Sequence, residues 1–148
     1  FALVQLERMP GFLERRQANV AAYTSFFGQW PESFRTPVET PGLVTSWLQY
    51  PLQIEPTAPF DRADFHAHMK AYGIATRMVW SGNVTRQPMW DGVRHRVAPG
   101  GLANADRIME RGVLLPCHQT MDAEDLDYVR SAVRDLLDHG PRSRAGRS

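Results

Sequence analysis

Apolar residues Leu3, Leu6, Met9, Leu13, Val20, Tyr23 and Phe27 recur at helical spacing, while Glu7, Glu14, Arg15 and Gln17 fill the other faces. The pattern predicts one long helix over residues 1–27. Pro10-Gly11 should kink or interrupt it, because proline removes an amide and crowds the preceding turn. Residues 29–41 carry Pro31, Pro37 and Pro41 with little periodicity and read as loop. From Trp47 the period changes to two. Leu48, Tyr50, Leu52 and Ile54 share one face and Gln49 and Gln53 the other, which is a half-buried strand. Pro51 cannot donate to a ladder, so the strand lies at a sheet edge or turns that position outward.

After a proline-marked loop over 55–59, Asp61 is placed to cap a helix that carries Phe65, Met69 and Tyr72 inward and stops at Gly73. Ile74 to Trp80 reads as a central strand, broken at Ser81-Gly82-Asn83. Residues 91–101 are loop-like. Leu102 to Arg111 forms a short helix with Ile108 and Met109 inward, ended by Gly112, and Val113-Leu114-Leu115 is a short buried strand. A final helix begins near Asp122, with Asp125 in a weak capping box and Leu126, Val129, Val133, Leu136 and Leu137 as its core stripe. Gly140-Pro141 stops it, and residues 142–148 form a disordered basic tail. Strands separated by helices, without a nucleotide-binding glycine fingerprint, imply an α/β (α+β) layer of about three strands covered by helices.

Composition narrows the function classes. The 148 residues suit one domain, and 43% hydrophobic with 22% charged residues is ordinary for a soluble globule. A net charge of +1 gives no field to recruit nucleic acid, and no apolar run is long enough to span a membrane. The single cysteine, Cys117, excludes an internal disulfide, cannot hold a metal alone, and fits a reducing, cytoplasmic setting. His66 and His68 point to different faces of a helix, which disfavours a zinc pair. Lys70, the chain's one lysine, sits on a solvent-type helix face. Without an initiator methionine, and helical from its first residues, the chain reads as a piece of a longer polypeptide.

Candidate chemistry concentrates where the polar loop leaves the strand. Asn83 is either a ligand contact or a left-handed turn residue. Arg86 offers a planar donor fork to phosphate or carboxylate, or pairs with a carboxylate such as Asp91. Gln87 contacts a ligand or caps the loop. Arg77 within the strand and His118 beyond the last strand complete the set, each with a structural alternative of pairing, packing or capping.

These residues also carry a resemblance. Gly73-Ile74-Ala75-Thr76-Arg77 followed by Gly82-Asn83-Val84-Thr85-Arg86-Gln87-Pro88 resembles the C-terminal domain of the DegT/StrS family of pyridoxal-phosphate sugar-nucleotide enzymes, most closely its NDP-4-keto-6-deoxyhexose 3-dehydratases. Further stretches follow in the same order: Leu3 to Pro10, Arg15 to Asn19, Ser46 to Pro51, Asn104 to Met109 and Leu115 to His118. The resemblance implies the small C-terminal domain of a fold-type I enzyme spanning 1–148, with residues 1–27 linking to a large cofactor-binding domain absent from this chain. It implies C-3 deoxygenation of a nucleotide-linked 4-keto-6-deoxyhexose. Pyridoxal or pyridoxamine phosphate, and the catalytic base, would belong to the large domain. Substrate contacts would fall on Asn83, Arg86, Gln87, Arg77 and His118, with no catalytic residue here. A homodimer partner and a reductase are further implied, and the piece alone should be inactive. Amino transfer to the same sugars, or a non-catalytic binding module of the same fold, are the alternatives.

Overall fold

The structure, a computed structural model, describes residues 2–141; the tail expected over 142–148 lies outside the described residues. Helix α1 spans Ala2–Phe27 and is followed by strands β1 (Phe34–Arg35) and β2 (Gln49–Ile54) and helix α2 (Arg62–Ala71). Strand β3 (Arg77–Met78), helix α3 (Ala103–Arg111), strand β4 (Gly112–Pro116) and helix α4 (Ala123–His139) complete the chain. Among the described residues the sheet has four strands, close to the about three expected, all antiparallel, in the order β1-β2-β4-β3.

Most of the helical pattern is realised. Asp61 caps α2 through Asp64 N–H, and Asp122 caps α4 through Glu124 and Asp125 N–H; both ends form reciprocal capping boxes. Gly73 closes α2 at φ 72°, with Gly73 N–H to Lys70 O and Ile74 N–H to Met69 O, while Ile74 and Met69 are both buried. Helix α1 runs unbroken through Pro10, against the interruption expected there. The first turns of α1 expose Leu3 and Leu6, at 76% and 61%, whereas Asn19, Tyr23, Phe26 and Phe27 are buried.

Two strand expectations need correction. Tyr50, Leu52 and Ile54 do face the core, but Leu48 lies outside β2 and is exposed. Strand β2 is internal, yet β1 meets only Gln53 and Ile54, so the stretch around Pro51 is paired on one side alone. That is how an internal strand tolerates the missing donor. The run Ile74 to Trp80 is no central strand. Only Arg77 and Met78 pair, with Leu114 and Val113, and both are exposed at the sheet edge. Ile74 is committed to the α2 cap, and Trp80 takes φ 51°, which ends the extended backbone.

The core lies between the sheet, the C-terminal half of α1, α2 and α4. Phe27 anchors it, edge-on to Phe34 at 5.0 Å and stacked on Tyr50 at 5.8 Å. Two polar side chains stitch it together. Buried Asn19 donates to His118 O at 3.1 Å, and buried His68 places Nε2 2.9 Å from Ala132 O on α4.

Candidate functional site

Beyond β3 the chain makes two short 3-10 turns, Val84–Arg86 and Pro88–Trp90, the first of which is bonded to α3 through Asn83 and Arg86. Asn83 caps the first turn from a buried position, 4% exposed. Its Oδ1 accepts from Thr85 N–H at 3.0 Å and from Thr85 Oγ1–H at 2.7 Å, and its Nδ2 donates to Asp106 Oδ1 at 2.8 Å. Asn83 itself has φ −83°, so the left-handed residues of this bend are its neighbours Trp80 (φ 51°) and Gly82 (φ 64°). Gly82 is required twice over. A Cβ there would stand 2.3 Å from Met109 Cβ on α3.

Arg86 leans on the same helix rather than on Asp91. Its Nη1 lies 3.2 Å from Asp106 Oδ1 and 3.0 Å from Glu110 Oε1. Hydrogen bonding to Glu110 and then Asp106 holds the guanidinium above its ordinary pKa. Asp106 is lowered, first by the Asn83 hydrogen bond and then by Arg86, against a desolvation effect of opposite sign. Among the described residues only Nη1 is used, and the side chain is 49% exposed, so Nε and Nη2 can still donate. Gln87 Nε2 donates to Ser81 O at 3.0 Å and closes the bend from within. The loop is thus one rigid unit, pinned to α3 by Asn83, Gly82 and Arg86.

Sequence reasoning grouped five residues, and the fold joins three of them. Arg77 is exposed on β3 and makes no ion pair among the described residues. His118 follows the Pro116 end of β4, whereas the loop leaves β3 at the Gly112 end, because Arg77 and Met78 pair with Leu114 and Val113. There His118 Nδ1 lies 2.7 Å from Thr120 Oγ1, beside a second polar group in which Arg16 Nη2 donates to Gln119 Oε1 at 2.7 Å. Asp106, Trp80 and Arg62 were missed. Asp106 could have been weighed through its place in the Asn104 to Met109 run, but a left-handed tryptophan leaves no sequence signal. Arg62, Met78, Trp80, Ser81, Gln87 and Met109 are among the residues lining a hollow of about 450 Å³ beside the loop. Arg62 Nη1 donates to Met109 O at its wall.

Two features that could receive a phosphorylated cofactor are a lysine and capped helix ends. The one lysine, Lys70, is exposed on α2, beside shallow hollows that face β3. The N-termini of α2 and α4, natural phosphate seats, are closed by their own Asp61 and Asp122 carboxylates.

Residues 1–134 match the DegT/DnrJ/EryC1/StrS aminotransferase family. The lipopolysaccharide biosynthesis protein RfbH of Salmonella typhimurium is 33% identical over 135 residues, which is 91% of this chain and 31% of that protein. A dTDP-4-dehydro-2,6-dideoxy-D-glucose 3-dehydratase of Saccharopolyspora spinosa is 28% identical over 136 residues, 92% of this chain and 29% of its own length. Among solved structures, the E. coli GDP-4-keto-6-deoxy-D-mannose-3-dehydratase superposes with a TM-score of 0.77 at 20% identity, covering 88% of this chain and 33% of that one. A DegT/DnrJ/EryC1/StrS aminotransferase from Brucella abortus gives a TM-score of 0.77 at 22% identity, covering 92% and 34%. The chain spans about a third of the length of these relatives. By sequence over most of its length, and by a fold consistent with it, the chain belongs to the DegT/DnrJ/EryC1/StrS aminotransferase family.

Proposed function

We propose that this chain is the small C-terminal domain of a cofactor-dependent enzyme of deoxysugar biosynthesis, an NDP-4-keto-6-deoxyhexose 3-dehydratase. The loop from Ser81 to Trp90 faces the nucleotide-linked sugar. The observation that carries this reading is the pinned loop. Asn83, Gly82 and Arg86, all within the Gly82 to Pro88 run that resembles the dehydratase branch, are the groups that fix it on α3. A 3-dehydratase among the relatives supports the same choice. Arg86 would be steadied through Nη1 and meet oxygen-rich substrate with Nε and Nη2, while Arg77 supplies a second exposed cation. Gln87 holds the bend, and His118 would meet substrate only if the ligand reached the far end of β4.

The chemistry at C-4 and C-3 belongs, on this reading, to pyridoxal or pyridoxamine phosphate held by a large domain outside this chain. The chain alone would be inactive. The complete enzyme would be a cytoplasmic homodimer served by a reductase.

The test is the full-length protein supplied with cofactor, a reductant and a nucleotide-linked 4-keto-6-deoxyhexose, with the product read by mass spectrometry. Loss of the C-3 oxygen supports the proposal. A C-4 amino group with that oxygen retained would assign the sister aminotransferase activity, and no turnover of any such sugar would overturn both.

A further inference from the structure

Trp80 is the residue of this fold that packing does not explain. Its side chain is 89% exposed, and among the described residues its ring makes no aromatic contact. Its backbone sits at φ 51°, a region that bulky L-residues rarely adopt. The surroundings give it no freedom to relax. Met78, two residues before, is paired with Val113; Ser81 O, one residue after, accepts from Gln87; and Gly82 is pressed against Met109. A large ring exposed to water on a strained backbone is a feature that packing within the folded state does not account for. Such outliers concentrate at ligand clamps.

Trp80 and Arg62 both line the 450 Å³ hollow. Arg62 donates to Met109 O and makes no ion pair among the described residues. Past Met78 a second hollow of about 550 Å³ continues along α2 and carries Lys70 as well as Arg62. Asp64 also lines it, but its carboxylate already accepts Asp61 N–H in the helix cap. An exposed aromatic ring beside a guanidinium that no ion pair engages among the described residues suits a planar ring joined to an anionic group.

We propose that Trp80 is the stacking platform for the base of a nucleoside diphosphate, with Arg62 receiving its phosphates. This rests on the reading of the substrate as nucleotide-linked, and it assigns the nucleotide end of that substrate to a site beside the pinned loop. Stacking is tolerant of base identity, so the platform sets affinity for nucleotides over simple phosphates.

The experiment labels the full-length protein with 5-fluorotryptophan and assigns Trp80 by its loss in Trp80→Phe. CDP, GDP and dTDP are titrated in turn, with inorganic pyrophosphate as the control lacking a base. At least one nucleotide should shift the Trp80 fluorine resonance. Trp80→Ala should weaken that nucleotide roughly tenfold, Trp80→Phe should stay within about twofold, and pyrophosphate affinity should not change in either. Arg62→Ala should weaken nucleotide and pyrophosphate together. Because Trp80 is exposed, these variants of it should fold. Nucleotide binding that leaves the Trp80 resonance and the Trp80→Ala affinity unmoved overturns the platform while leaving a nucleotide-linked substrate intact. Absence of binding by any of the three nucleotides overturns the platform and counts against a nucleotide-linked substrate as well.

Discussion

Asn83 and Asp106, 23 positions apart, share a 2.8 Å hydrogen bond that ties the polar loop to α3. Asn83 is buried, so its amide has no water to fall back on. Asn83→Ala leaves two donors of Thr85 without their acceptor and removes one of the two bonds to Asp106 Oδ1, and should destabilise the protein by about 1–3 kcal/mol. Chemical denaturation of the variant against the parent measures this. A loss below a few tenths of a kcal/mol would mean that the brace is dispensable.

The same bond sets an acid limit. Asp106 titrates below its ordinary value of 3.8 in the folded chain, first because Asn83 donates to its charged form. A carboxylate with a lowered folded pKa contributes stability above its unfolded value and loses it as pH falls through the folded one. The contribution of Asp106 should therefore be constant from neutral pH down to about 4 and vanish below that. Asp106→Asn should flatten the acid limb of a stability-against-pH curve. An unchanged limb would assign acid sensitivity to other carboxylates.

Two residues of one bend should respond in opposite directions. Gly82 has φ 64° and no room for a methyl group, so Gly82→Ala should cost about 1–3 kcal/mol and free the loop from Met109. Trp80 has φ 51° and open space around it, so Trp80→Asn, which tolerates left-handed backbone, should stabilise by about 1 kcal/mol or less. Thermal denaturation of the two variants decides. If Trp80→Asn melts well below the parent, the indole packs on something and cannot serve as an open platform.

What the sequence disclosed, and what it hid, follows from where each element's stability originates. Helix α4 was readable because its Asp122 and Asp125 box and its Leu126 to Leu136 stripe are local features with one period. Helix α2 and its Gly73 stop were readable for the same reason. Strand β1 was not, since Phe34 and Arg35 are extended only because Ile54 and Gln53 pair with them across the sheet. His68 hid on a helix whose pattern named only Phe65, Met69 and Tyr72, because its core place depends on a carbonyl of α4. The loop's polar residues were visible as a cluster, but Arg86 chose Asp106 and Glu110 over nearer Asp91. Partners distant in sequence leave no local trace.

Cys117, Tyr50 and Tyr23 together set the alkaline limit, the Tyr23 phenol also being pushed up by burial. Burial raises the Cys117 thiol from 9.0 to about 11 and the Tyr50 phenol from 10.0 to about 12, the latter against a smaller opposing hydrogen bond from Thr24. Groups raised on folding lose their stabilising effect as pH climbs from the unfolded toward the folded value. Stability should hold to about pH 9 and decline between there and 12. At pH 8 the thiol should resist iodoacetamide until the chain is unfolded by denaturant. Rapid alkylation of the native protein would show that the region around Cys117 opens.

Arg86 supports the loop and, on the proposed function, meets the sugar, and these roles separate experimentally. Its two ion pairs are half-exposed, and solvent screening leaves such pairs little weight in stability. Asn83 and Gly82 would still pin the loop to α3, so Arg86→Ala should barely move the melting temperature. Loss of a charged contact made in the transition state should lower kcat/KM of the full-length enzyme roughly ten- to a hundredfold. Glu110→Ala removes one support while leaving the guanidinium in place. If Arg86 touches substrate, Glu110→Ala should cost far less than Arg86→Ala, and Arg86→Lys should recover little because a point charge cannot replace the fork. If Glu110→Ala and Arg86→Ala cost the same, Arg86 acts only by holding the loop.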